Sequence, residues 1–93
     1  MNASNGQAIV AFPPVTKPMA IEIALQHRNM DVCWKCTNQK PSAMYLPFEL
    51  KEPCWFVWMP YDRNWNVLRD SYVVIVSRVT GRVLGEGTAG DEG

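Results

Sequence analysis

One histidine, three cysteines and no block of like charge leave this chain poor in the side chains that build most active sites and nucleic-acid surfaces. Nine Lys and Arg balance nine Asp and Glu, and no run of either sign exceeds two residues. A surface of net charge near zero lacks the counterion release that drives duplex nucleic-acid binding, and lacks the attraction to an acidic membrane. It also favours self-association or a partner over a lone monomer. Long apolar runs are missing too. Stretches such as Cys54–Pro60 and 72–76 fall well short of the ~18 residues a membrane span needs. The first residues lack the basic start and apolar core of a secretory signal. The expectation is a cytoplasmic protein with reduced thiols, and an odd number of cysteines agrees in arguing against a disulfide framework.

Catalytic patterns are equally scarce. Any Ser-His or Cys-His pair must use His27. Glu49 with Glu52 and Asp62 with Asp70 are the acidic groupings available for general acid–base work, and both lie in loop-like stretches. Gly81, Gly85, Gly87 and Gly90 are not framed by the strand-to-helix transition that a phosphate-binding loop requires. The chain is expected not to be an enzyme.

What is abundant is aromatic. Four Trp, three Tyr and three Phe crowd into 93 residues. A domain of this size buries only about 60–65% of its unfolded surface, so its stability is modest unless something staples it. Residues 1–15 read as a flexible arm, ended by Pro13-Pro14, residues 16–89 as one domain and 90–93 as a short tail. Thr16 is placed to cap a helix over about 17–29, with Pro18 in its first turn and Asn29 at its close. Val32, Trp34 and Cys36 alternate with polar neighbours as in a short strand, and 43–48 offers another whose pairing Pro47 and Pro53 limit. Strong strands follow at 54–59 and 72–76, and Thr80-Gly81 turns the last one back. These elements predict an α+β fold, one N-terminal helix packed on an antiparallel sheet of three to five strands.

Alternation along the strands sets Trp55, Val57 and Met59 on one face and Phe56 and Trp58 on the other, so both faces are apolar. One helix covers one face. The arm and residues 31–53, a second copy of the chain, or another protein must cover the other. Aromatic anchors of this kind concentrate at interaction sites, which makes Trp55, Trp58, Arg63 and Trp65 the candidate partner-binding residues.

Cys33-Trp34-Lys35-Cys36 is the sharpest local motif. Two thiolates at this spacing form half of a zinc site, and Cys54 and His27 are the remaining candidate ligands. Buried free thiols are the simpler reading. A redox role needs the first thiol at a helix start, and here the motif follows the predicted helix. Trp34 beside Lys35, and Trp65 near Arg63 and Arg69, offer stacking platforms for single-stranded bases, although neutral charge opposes more than weak binding.

The predicted helix over 17–25, the aromatic strand and the stretch from Tyr72 through Thr80-Gly81 to Gly87-Thr88-Ala89 resemble the YrhB-like and polymorphic-toxin immunity proteins of bacteria. PepSY-type inhibitory modules end similarly. The resemblance implies a cystatin-like sheet on one helix, and a non-enzymatic protein that neutralises a toxin or holds a client. It leaves Cys33, Cys36 and residues 31–53 unmatched. The expected function is therefore a small immunity- or inhibitor-like module that occludes a partner protein. The alternatives are a zinc-stabilised module using Cys33, Cys36, Cys54 and His27, and a self-associating structural subunit.

Overall fold

A computed structural model describes residues 14–61 and 71–90. Helix α1 runs Lys17–Arg28. Thr16 lies in extended backbone, and its hydroxyl accepts the Met19 N–H at 3.4 Å. Pro18 falls in the first turn, where the missing N–H has no helical partner to lose. Asn29 closes the helix in the left-handed region (φ 55°), and the Met30 N–H returns to the Leu25 carbonyl at 2.8 Å. The buried helix positions are Ala20 and Ala24, with Ile21, Ile23 and Leu25 half-buried beside them. Two methyl groups at the contact line let the helix backbone approach the sheet closely.

Four strands follow: β1 Lys35–Thr37, β2 Cys54–Pro60, β3 Ser71–Ser77 and β4 Val83–Gly90. They form an antiparallel meander in the order β1-β2-β3-β4. The β2–β3 pair is the long one, running without a shift from Cys54↔Ser77 to Pro60↔Ser71. The fold is thus the expected α+β layer of one helix on an antiparallel sheet. Among the described residues no helix is long and apolar enough to cross a membrane.

The sheet is buried on both sides. Cys36, Val57, Met59, Val74 and Val76 pack with Val15, Ala20, Ala24 and Met30 in a first core beneath α1. Cys54, Phe56, Trp58, Val73, Ile75 and Ala89 form a second core on the opposite face, closed by Met44. Antiparallel sheets usually leave one face to solvent. Here residues 43–50 cross the second face as a strap. Met44 is buried, Leu46 and Leu50 are half-buried against the core, and Tyr45, Pro47 and Glu49 between them are exposed.

The strand expected at 43–48 is absent. The alternation of inward and outward residues along it serves a strap that joins no ladder. Pro47 removes one of the donors a ladder over 43–48 would need. Glycines in β4 make room for the strap. A Cβ at Gly85 would stand 3.0 Å from Phe48 Cζ, and one at Gly87 would stand 3.6 Å from Met44 Cε.

The 77–82 turn is built around Ser77. Its hydroxyl accepts the Val79 and Thr80 N–H groups at 3.0 Å each and donates to the Glu52 carboxylate. Gly81 adopts φ 81°, the left-handed conformation glycine takes most easily, and its N–H bonds to the Ser77 carbonyl. Val15, assigned by composition to the arm, is instead buried. Its N–H bonds to the Arg78 carbonyl at 3.0 Å, and its own carbonyl accepts the Trp55 indole N–H at 2.9 Å.

Candidate functional site

The candidate tryptophans lie on opposite faces of β2, so no single contact patch contains both. Trp55 faces the helix side, half-buried, with its ring between the Lys17 ammonium (5.7 Å) and the Arg78 guanidinium (4.6 Å). With its N–H committed to Val15, it ties the start of α1 to the sheet. Trp58 is 3% exposed in the second core, and its indole N–H has no acceptor among the described residues. Arg63 and Trp65 lie outside the described residues, as do Asp62 and Asp70.

Trp34 and Tyr61 are exposed, but the most exposed aromatic ring of the described residues is elsewhere. Tyr45 is 83% exposed and Phe48 46%, both on the strap, so one short segment both closes the second core and presents aromatic rings to solvent. Alternation at 44–50 was the available signal. Had that stretch been read as inward Met44, Leu46 and Leu50 with outward Tyr45, the exposed ring would have been found.

The four candidate metal ligands do not converge. Cys33 and Cys36 belong to the first core, Cys54 to the second, and the sheet stands between. His27 bonds to Glu86 on β4, while Cys36 lies on β1 at the other edge. Three inter-strand steps of about 4.8 Å separate those edges by roughly 14 Å. Among the described residues no group of three or more His, Cys, Asp or Glu is placed to hold a metal ion.

The thiols are also in their protonated form at neutral pH. Burial pushes Cys36 up to about 11, reinforced by Cys33 and opposed weakly by Lys17. Burial likewise raises Cys33 and Cys54. Cys33 donates to the Lys35 carbonyl and Cys54 to the Glu52 carbonyl, bonds that only a thiol can make. From 9.0 to about 11 is two pH units, which leaves Cys36 with about a hundredfold less thiolate than an ordinary cysteine. The higher pKa makes the remaining thiolate more nucleophilic, so iodoacetamide at pH 8 is expected to alkylate Cys36 at least about tenfold more slowly in native protein than in urea, read by mass spectrometry. Equal rates would remove the burial argument.

A polar cluster joins the end of α1 to β3 and β4. His27 Nε2 meets Glu86 Oε2 at 2.7 Å, and the Tyr72 hydroxyl donates to Glu86 Oε1 at 3.0 Å. Arg28 stacks its guanidinium 3.7 Å over the Tyr72 ring and donates to the Tyr61 carbonyl at 2.8 Å. Burial opposes ionisation of Glu86, but the bonds from His27 and Tyr72 and the charges of His27 and Arg28 outweigh it and hold the carboxyl below 4.5.

A depressed carboxyl stabilises the fold fully above its unfolded value, and that contribution is lost as pH falls through the lower folded value. The urea midpoint of the wild type should exceed that of Glu86→Gln at pH 7, and the gap should close as pH drops below about 4. A gap that is constant with pH would exclude the ionised Glu86 as its source. The geometry of the cluster is that of a clasp between helix and sheet.

No family model, curated protein or solved structure matches the chain.

Proposed function

We propose that this protein is a non-enzymatic protein-binding module that engages another protein through the outward side of the strap, residues 43–50. The observation that carries the reading is the 83% exposure of Tyr45 on a segment whose alternate residues are anchored in the second core. An aromatic ring held out from an anchored backbone loses little conformational freedom on binding, and Tyr is among the residues that dominate interface energetics. Phe48 extends the apolar surface, while Gly85 fixes its inner edge. An immunity- or inhibitor-like protein would use such a ridge to occlude its target. The separation of the four candidate ligands favours this over the zinc-stabilised alternative.

Affinity capture from the protein's own source, followed by calorimetry with the purified partner, tests it. Tyr45→Ser should weaken binding at least about tenfold, equivalent to roughly 1.4 kcal/mol, and leave the melting temperature unchanged because the ring is exposed. A partner bound equally by wild type and Tyr45→Ser would exclude the strap. A concentration-dependent dimer that Tyr45→Ser dissociates would instead favour the self-associating subunit.

A further inference from the structure

The strap leaves one part of the second face uncovered. At the β1 edge, a pocket of about 330 Å³ is lined by Lys35, Thr37, Gln39, Lys40, Pro41, Ser42 and Trp58. Register explains the grouping. Lys35 is the cross-strand partner of Trp58 and Thr37 that of Phe56, so both β1 side chains lie on the second-core face. The loop after β1 then brings Lys40 round to the same opening. Lys35 holds its ammonium 4.2 Å from the centre of the Trp58 ring, and Lys40 donates to the carbonyl of Pro41. The His27–Glu86 ion pair lies at the far edge of the sheet, and the contacts these two lysines make here are to the Trp58 ring and the Pro41 carbonyl. Two cations at one opening repel each other and attract an anion.

We infer that this pocket binds a carboxylate carried on a short apolar stem, the chemistry of a glutamate or aspartate side chain. Its volume sits at the small end of the ~300–1,000 Å³ typical of ligand sites. The lining combines two lysines with Trp58 and the Pro41 ring, which suits a group with one charge and a few methylenes. A phosphate, with up to two charges, is favoured by arginine forks or converging backbone N–H groups, and no arginine lines this pocket. The inference is independent of the strap reading, because its residues end where the strap begins and its probe is a small molecule.

The test is a titration of ¹⁵N-labelled protein with N-acetyl-glutamate N-methylamide, with the glutamine analogue and inorganic phosphate as parallel arms. The blocked glutamate should move the Trp58 indole N–H and the Lys35 and Thr37 amide resonances saturably, and the glutamine analogue should not. Lys35→Gln combined with Lys40→Gln should abolish the shifts, with the thermal midpoint of folding measured alongside. Both lysines are exposed, so the variant is expected to keep its fold. Equal response to both blocked amino acids, survival of the response in the double variant, or saturation by phosphate alone would each overturn the assignment.

Discussion

Trp58→Ala is expected to cost about 3–5 kcal/mol of folding stability, the range for removing a large buried aromatic side chain. The ring is 3% exposed and packs with Cys54, Phe56, Val73 and Ile75 in the core opposite the helix. Domains of this size carry only about 5–15 kcal/mol in total, so the variant should lose roughly a fifth or more of its stability. Chemical denaturation followed by far-ultraviolet circular dichroism reads the change directly. The indole N–H, buried and unpartnered among the described residues, offsets part of the gain from burying the ring, which places the expected cost toward the lower end. A loss below about 1 kcal/mol would mean the ring is not buried as described.

The second large effect is at Met44. This side chain is 2% exposed, lies on a segment with no strand or helix, and reaches the sheet where Gly87 leaves space for it. Met44→Ala should cost about 2–5 kcal/mol, as for other buried methionines. Tyr45→Ser, one residue away, should cost almost nothing because that ring is in solvent. The contrast between neighbours is the useful quantity. A mobile loop would show small effects at both positions, and a true strand with a ladder would show hydrogen-exchange protection of the 43–48 amides. The anchored strap predicts a large effect at 44, none at 45, and no ladder of protected amides along 45–48, whereas the Met44 N–H bonds to the Pro41 carbonyl in a turn.

Much of the fold was legible in the sequence because its signals are local. Thr16, Pro18 and Asn29 mark the two ends of the helix by the dihedrals and donors they supply, and the helix ends within a residue of the expectation. Alternation in β2 and β3 gave the sidedness of each residue, including the opposition of Trp55 and Trp58. What alternation could not give was the cover for the second face. That depends on a long-range contact, Met44 and Phe48 against glycines in β4, and glycine carries no pattern that announces a groove. Among the described residues the strap covers the middle of that face and leaves the opening beside Trp58 at the β1 edge.

The candidate site was less legible for the same reason. Trp is a large apolar residue as readily used in a core as at an interface, and only tertiary structure separates the two uses. Trp58 and Tyr45 differ little in composition-based expectation, yet one is closed in and the other stands in solvent. The pairing of Lys35 with Trp58 rests on the β1–β2 register. With β1 only three residues long, the sequence offered no way to fix that register. Proximity in sequence pointed Lys35 at Trp34 instead.

The central claim is that residues 43–50 close the second face of the sheet while presenting Tyr45 to solvent. A nuclear Overhauser spectrum tests it most directly. Cross-peaks are predicted from the Phe48 ring to the Gly85 α-protons and from the Met44 methyl to the Gly87 α-protons, with none from the Tyr45 ring to the sheet. Missing Phe48 and Met44 cross-peaks, or cross-peaks from Tyr45 in their place, would contradict it.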